Sequence, residues 1–436
     1  IMKKLLYLFL TVLIVACSGD INSDVVESGE TETNPSKPNI LLIIADDMGK
    51  DATAGFSEGI IKPNTPNINS IRNEGISFNN FWVYPTCSPT RASIITGKYG
   101  FRTNVNWAND ILSDSEIILQ SYINQQTNNA YDTSIIGKWH LSGNGNNISN
   151  PELMGMDYYA GLTRGGVQSY YQWVLVEDDQ QTNQTQYITE KFTDLAIDRI
   201  NSQEKPWFLW LAYTAPHKPF HTPPSNMHTQ GNLPDYSTGM DPMPYYMAAI
   251  EAMDFQIGRL LDNIPENERN NTIIIFIGDN GTPNQVAQSP YSSSTVKGSI
   301  YQGGINTPLF VSGQGVTRIG NEDDNLITSS DLFATIAQIA GSPTSEINDS
   351  KSFQPLFTEP SKIRNFQYSE LNNGTNNIWT ISNGEYKLFV FANGNEEMYN
   401  LSLDPYEEND LLLGTLNTMQ QTAKTELENE LLEIRQ

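Results

Sequence analysis

The chain has 436 residues, 38% of them hydrophobic and 17% charged, enough to bury a large core with a second, smaller unit beside it. Twenty-five Lys and Arg against 50 Asp and Glu leave a formal net charge of −25. That balance argues against a nucleic-acid binder, which needs a basic face to neutralise phosphates. It also repels anionic ligands, so an anionic substrate would require a local cluster of Lys and Arg.

At the N-terminus, Lys3 and Lys4 precede an apolar run from Leu5 to Ala16. The run is too short to span a bilayer comfortably and has the layout of a secretory signal. It ends Leu13-Ile14-Val15-Ala16-Cys17, which resembles the bacterial lipoprotein signal, with Cys17 as the lipidated first residue. We therefore expect residues 1–16 to be a lipoprotein signal peptide and the chain to be an exported bacterial lipoprotein in the periplasm or at the cell surface. The membrane would be reached only through the lipid anchor at Cys17. Residues 17–38 are polar, acidic and poor in aliphatic side chains, and read as a flexible tether. The chain holds only two cysteines, so lipidation of Cys17 leaves Cys87 without an intrachain disulfide partner.

From Asn39 onward, apolar runs alternate with helical patterns. "NILLIIA" (Asn39 to Ala45) stops at Asp46-Asp47. In "YPTCSPTRASIITG" (Tyr84 to Gly97), Pro89 suits the first turn of a helix and Gly97 its C-terminal cap. Cys87 then stands at a helix N-terminus, where backbone N–H groups favour anions, with Arg91 close by. Such a cysteine could be an inert buried thiol, a thiolate nucleophile, or the precursor of another group. Arg102 follows this helix and is a candidate substrate contact. "TSII" (Thr133 to Ile136) stops at Gly137-Lys138-Trp139-His140. The stretch from Arg164-Gly165-Gly166 to Trp173, with Tyr170 and Tyr171, combines a cation with aromatic faces of the kind that bind sugars; bracing the fold is the alternative role for each. "WFLWLAY" (Trp207 to Tyr213) stops at Thr214-Ala215-Pro216-His217, with His221 shortly after. Pro244 to Ile264 carries Met247, Ile250, Met253, Ile257, Leu260 and Leu261 at the three- and four-residue steps of an amphipathic helix. "TIIIFI" (Thr272 to Ile277) stops at Gly278-Asp279-Asn280.

Runs apolar on both faces fit buried strands of a mostly parallel sheet covered by helices. The expected fold is α/β: a large mixed, mostly parallel sheet sandwiched between helices over 39–355, and a small C-terminal α+β domain, antiparallel sheet plus helix, over 356–436. Ligands of such sheets bind beyond the carboxyl ends of the strands, so Asp46, Asp47, Lys138, His140, His217, Asp279 and Asn280 should gather at one edge. Singly, an Asp after a strand is also a cap or turn former; the repetition is what points to a site. Asp46, Asp47, Asp279 and Asn280 offer hard oxygen ligands, which favours Ca2+, with Mg2+ second, over zinc or copper. A thiolate at Cys87 would be a poor partner for such a cation.

Cys87-Ser88-Pro89-Thr90-Arg91 resembles the maturation signature of the formylglycine-dependent (type I) sulfatases of the alkaline phosphatase superfamily. Asp46-Asp47, Gly137-Lys138-Trp139-His140-Leu141, Pro216-His217, Gly278-Asp279-Asn280-Gly281, and Lys297-Gly298 with Gly303-Gly304 stand in the family's order. Trp379, Lys387-Leu388, Tyr399-Asn400-Leu401, and Asp404-Pro405 with Glu408 resemble its small closing domain. Ser142 and Asn400 depart from residues common in the family, at positions outside the expected chemistry.

The resemblance implies a sulfatase that hydrolyses a sulfate ester, expected on a sulfated polysaccharide or oligosaccharide. A formylglycine-generating maturase would oxidise Cys87 to an aldehyde whose hydrate is the nucleophile. Ca2+ would be held by Asp46, Asp47, Asp279, Asn280 and the modified Cys87. Arg91 would stabilise the nucleophile, and Lys138 and Lys297 would neutralise the sulfate oxygens. His217 would protonate the leaving alcohol, and His140 would take the proton that lets sulfate depart. Arg102, Arg164, Trp173 and His221 remain as substrate contacts. The competing readings are a phosphodiesterase or phosphonate monoester hydrolase of the same superfamily, and a non-catalytic glycan-binding surface lipoprotein.

Overall fold

A computed structural model describes residues 37–144 and 147–436; the expected signal, the expected tether up to residue 36 and the expected lipidation at Cys17 lie outside them. Residues 37–436 form one compact unit. Its centre is the Asn39–Asp46 strand, which pairs in parallel with Trp207–Pro216 on one side and Thr272–Gly278 on the other, Ile40 lying opposite both Phe208 and Ile273. Asp132–Lys138 and Tyr158–Leu162 extend the parallel set beyond Trp207–Pro216. Leu309–Gly313 on one side and Trp173–Glu177 on the other run antiparallel to this set and begin the outer strands of the ten-stranded sheet. The sheet is mixed and mostly parallel at its core, as the continuous apolar runs require.

The alternation along the central strand shows how the layers form. Ile40, Leu42 and Ile44 point into one core, shared with Ala92, Ile94, Ile95, Leu119, Ile123 and Ile336. Leu41, Ile43 and Ala45 point into the other, shared with Ile68, Phe192, Met247, Ile250, Met253 and Ile257. Successive side chains of a strand face opposite ways, so a run apolar at every position needs helices on both faces. Each fully buried Ile or Leu contributes roughly 1.5–3 kcal/mol, and this double burial favours an interior place for the strand, covered on both faces.

The helix expected from Pro244 to Ile264 runs Met243–Asn263. The helix carrying the cysteine spans Cys87–Thr96, with Pro89 in its first turn. It ends at Gly97, whose φ of 67° terminates it as a left-handed residue, a conformation glycine adopts without Cβ strain.

The C-terminal region forms its own four-stranded antiparallel meander, Gln367–Asn372, Asn377–Ser382, Tyr386–Phe391 and Glu396–Asn400, followed by the helix Thr418–Ile434. Tyr368, Ile381, Leu388 and Met398 pack against Ala423, Leu427 and Leu431 of that helix. The opposite face of the meander, with Leu371, Phe389 and Tyr399, packs on Ile300, three residues beyond Lys297.

Candidate active site

Four strand ends and one helix N-terminus converge. Ligand atoms of Asp46, Asp47, Cys87 and Asp279 lie within 4.8 Å of one another, and all four residues are buried. Cys87 Sγ is 3.3 Å from Asp46 Oδ1, 3.2 Å from Lys138 Nζ and 4.0 Å from Lys297 Nζ. Lys138 Nζ donates to Asp46 Oδ2 at 2.6 Å, and Lys297 Nζ donates to Asp47 Oδ1. The cysteine thus sits between two lysine–aspartate pairs.

Arg91 spends its fork on structure. Nε and Nη2 donate to Asp279 Oδ2 at 3.0 and 2.7 Å, and Nη1 donates to the Lys138 carbonyl at 2.6 Å. One helix residue thereby fixes two strand ends. Asp47 adopts φ 72° and His140 φ 61°, left-handed conformations that a non-glycine residue keeps only when its surroundings hold it. For Asp47 the hold is visible: Tyr246 Oη donates to its carbonyl at 2.7 Å, and its N–H donates to Asp279 Oδ1 at 3.1 Å.

The charges follow from burial and pairing. Burial opposes ionisation of Asp47, but the ammonium groups of Lys297 and Lys138 outweigh it and hold the carboxyl below its usual range. Burial likewise opposes the charge on Lys138, and Asp46 outweighs it to hold the ammonium above its usual range. For Asp279, burial and then Asp46 push the carboxyl up. Burial, with Asp46 adding, also pushes the Cys87 thiol up, the opposite of what a thiolate nucleophile needs. Both histidines are held neutral. Burial drives His140 well below the usual range, with Lys138 and Arg91 pushing the same way, and it brings His217 to about 3 against the opposing pull of Asp47. His217 Nδ1 donates to the Lys218 carbonyl at 2.6 Å, leaving Nε2 3.8 Å from Asp47 Oδ2. His140 Nε2 meets Asn109 Oδ1 at 3.2 Å, while its buried Nδ1 has no hydrogen-bond partner among the described residues.

A hard divalent cation fits this donor set. Asp46, Asp47 and Asp279 supply carboxylate oxygens, and Asn280 Oδ1 is buried without a hydrogen-bond partner among the described residues. Its Nδ2 is already committed to Asp47 Oδ1 at 2.7 Å and the Gly281 carbonyl at 3.0 Å. An orphaned buried amide oxygen beside three carboxylates is what an oxygen-seeking cation would satisfy.

Of the expected substrate contacts, Arg164 is exposed and lines a cavity of about 430 Å3 together with Trp173. The other side chains are committed to the fold. Arg102 pairs with Asp349 at 3.2 Å and donates to the Ile434 carbonyl at 2.8 Å. Trp173 is buried, its indole N–H donating to the Gln186 carbonyl at 3.0 Å and its ring set edge-on to Phe192. His221 stacks on Tyr170 with centroids 3.7 Å apart, and its two ring nitrogens meet Tyr187 Oη and the Pro219 carbonyl, each at 3.0 Å. Tyr170 is itself buried, its hydroxyl on the carbonyls of Thr214 and His217 at 2.8 and 2.6 Å, and Tyr171 Oη donates to the Thr222 carbonyl at 2.8 Å. These aromatics brace the His217 loop where sugar-facing rings were the other reading. Apolar bodies with polar tips serve either purpose, and only the packing separates the two.

Several residues here were not anticipated. Asn109, with φ 70°, meets His140. Ser88 Oγ donates to the His140 carbonyl at 2.9 Å and accepts from Asn109 N–H at 3.2 Å. Gly165 approaches so closely that a Cβ there would lie 2.2 Å from His140 Nε2, and one on Gly166 would lie 3.3 Å from His217 Cε1. Paired glycines are a sequence sign of close backbone approach; nothing local marks Asn109.

Residues 38–342 match the family model "Sulfatase", and residues 296–436 match "N-sulphoglucosamine sulphohydrolase, C-terminal". The chain is 28% identical over 365 residues to the sulfatase YdeN of Escherichia coli, covering 70% of this chain but only 62% of YdeN. Its fold is similar to that of Ps i-CgsB solved with k-i-k-neocarrahexaose (TM-score 0.74, 23% identity, 90% of this chain and 92% of that one). It is also similar to BT4656 solved with its substrate D-glucosamine-2-N,6-O-disulfate (TM-score 0.75, 20% identity, 92% and 98%). With the family model spanning well over half of its length and the strand-end cluster in place, the chain belongs to the sulfatase family.

Proposed function

We propose that this protein hydrolyses a sulfate ester on a sulfated carbohydrate, after Cys87 has been converted to formylglycine by a maturase. The observation that carries this reading is the position of Cys87 Sγ, buried 3.2 Å from Lys138 Nζ and 3.3 Å from Asp46 Oδ1 beside an orphaned Asn280 oxygen. Two Lys–Asp pairs provide the local positive groups that an anionic substrate needs on a chain of net charge −25. The glycan complexes of Ps i-CgsB and BT4656 favour a carbohydrate as the carrier of the sulfate.

Asp46, Asp47, Asp279 and Asn280 would hold the cation, for which we propose Ca2+. When bound, the ion supplies Lewis acidity and the formylglycine hydrate supplies the nucleophile. Lys138 and Lys297 bind sulfate oxygens as point charges. Arg91 positions Asp279 and the Lys138 strand end. His217 presents Nε2 towards the site, with Nδ1–H anchored on the Lys218 carbonyl; neutral before substrate binds, it takes up a proton at Nε2 beside the anionic sulfate ester and passes that proton to the departing alcohol oxygen. His140, neutral and with Nδ1 open, accepts the proton released as sulfate leaves.

Coexpression with a maturase and mass spectrometry of the peptide around residue 87 tests this. Aldehyde oxygen in place of sulfur, together with sulfate release, is expected; plain cysteine with full activity would sink the aldehyde route. Comparing sulfate and phosphate release from matched esters would separate this reading from the phosphodiesterase and phosphonate hydrolase readings, and glycan binding without sulfate release by aldehyde-bearing protein would favour a non-catalytic one. We further propose lipid anchoring at Cys17, expected to make processing sensitive to globomycin; processing indifferent to the drug would exclude it.

A further inference from the structure

A second cavity, of about 420 Å3, opens between residues 50–58, the Gln302–Ile305 helix and the loop ends of the C-terminal meander, and none of the catalytic or metal-site residues lines it. Its wall holds three polar side chains that are more than nine-tenths buried. Lys50, 4% exposed, donates from Nζ to the Asn79 carbonyl at 2.5 Å and lies 4.9 Å over the Phe56 ring. That single bond leaves the rest of its donor capacity open among the described residues. Gln302 Oε1 and Asn306 Oδ1, in residues 5% and 9% exposed, have no hydrogen-bond partner among the described residues. Asn306 Nδ2 donates to the same Asn79 carbonyl at 3.2 Å. Buried polar groups are almost always paired, so two orphaned amide oxygens beside a half-used ammonium mark a place where something else completes the pairing.

The chemistry narrows the occupant. A metal ion is repelled by the Lys50 ammonium. Sulfate or carboxylate can take the ammonium's hydrogens but has none to give the amide oxygens, and Glu58 and Glu322 on the same wall oppose these anions and a hydrogen phosphate alike. An apolar ligand leaves both amide oxygens unpaired. A hydroxyl group both accepts and donates, and it satisfies a side-chain amide whichever end faces it. Phe56 and Tyr291 add ring surface for the C–H faces of a ring, and the volume lies within the ordinary range of ligand sites. We propose that this cavity is a binding site for an uncharged sugar unit, separate from the catalytic centre. The inference rests on the cavity's own groups and stands whether or not the chain releases sulfate.

Calorimetric titration of the full chain with unsulfated lactose, cellobiose and maltose tests it, in the natural sequence and in Lys50→Met and Gln302→Met. At least one disaccharide should bind at millimolar concentration, and each substitution should weaken it about tenfold or more while hydrolysis of a small aryl sulfate stays unchanged. If Lys50→Met fails to fold, Gln302→Met and Asn306→Leu carry the test. No binding of any of the three up to about 50 mM, or equal affinity in the substituted proteins, would overturn the proposal and leave the cavity to water. Tighter binding of a sulfated disaccharide that Lys50→Met abolishes would overturn its uncharged character.

Discussion

At Cys87 the surroundings work against thiol chemistry, because burial and the neighbouring Asp46 raise the thiol while the oxygen ligands around it suit a hard cation. Cys87→Ala should therefore remove turnover entirely and leave the thermal midpoint within about 2 °C, since the side chain is small and no strand depends on it; retained turnover in the matured enzyme would contradict the assignment. Asn280→Ala removes an oxygen with no hydrogen-bond partner among the described residues, together with the Nδ2 bonds to Asp47 and Gly281, so it should weaken binding of the proposed cation about 10- to 100-fold and make the thermal midpoint less sensitive to added Ca2+; an unchanged calcium response would exclude Asn280 as a ligand. Lys62 shows a residue role that no motif announces. Its ammonium donates to the carbonyls of Lys50, Asp51 and Thr53 at 3.0, 3.2 and 2.8 Å, and to that of Glu58. It acts as a tethered cation closing the loop that follows Asp46-Asp47. Lys62→Met, which leaves those carbonyls to water or unpaired, should cost about 1–3 kcal/mol in chemical denaturation.

At the scale of elements, the segment from Arg164 to Trp173 governs both histidines. Its glycines press on His140 and His217, and its tyrosines hold the carbonyls of Thr214, His217 and Thr222. Gly165→Ala would place a methyl 2.2 Å from His140 Nε2, so either the backbone or the imidazole must move. A displacement of that kind costs on the order of 100-fold in kcat, with little change in global stability; unaltered kcat would show that His140 can yield without loss. The strand-end residues were legible because a continuous apolar run followed by acidic or basic residues is a local pattern. The bracing role of Tyr170 and His221 was not, because a ring that stacks on a sugar and one that stacks on a histidine have the same local sequence.

At the scale of the whole chain, a buried ion pair within the C-terminal region is bonded to the backbone of Ile300 and Gln302 and so joins the meander to that segment. Lys387 Nζ donates to Glu407 Oε1 at 2.5 Å and to the Ile300 carbonyl at 2.7 Å, and Glu407 Oε2 accepts from Gln302 N–H at 2.6 Å. The acid that meets Lys387 is Glu407, one residue before the Glu408 of the sequence motif. Lys387→Met would strand a buried carboxylate and should cost about 3–5 kcal/mol, part of which Glu407→Gln added to it restores; a cost below 1 kcal/mol would mean the junction tolerates an unpaired charge. Stability should also depend on pH through Asp254. Burial raises its carboxyl to about 6 from 3.8, against the N–H donors of Asn67 and Ile68. The folded chain therefore holds a proton there that the unfolded chain has released. This contribution is present below about pH 4, is lost as the pH rises through 6, and is flat above. Asp254→Asn should flatten that part of the stability profile; an unchanged slope would assign it to other groups.

By itself the sequence determined the four central strands, to within about three residues of their ends, and which oxygen and nitrogen groups follow them, since periodicity and strand-end chemistry are carried by neighbouring residues. Only the tertiary structure decided that Arg91 ties Asp279 to the Lys138 strand end, that Asn109 and Gly165 approach His140, and that Lys50, Gln302 and Asn306 share one cavity. Each of those contacts joins residues distant in the chain, and long-range packing, not local pattern, sets which side chains meet.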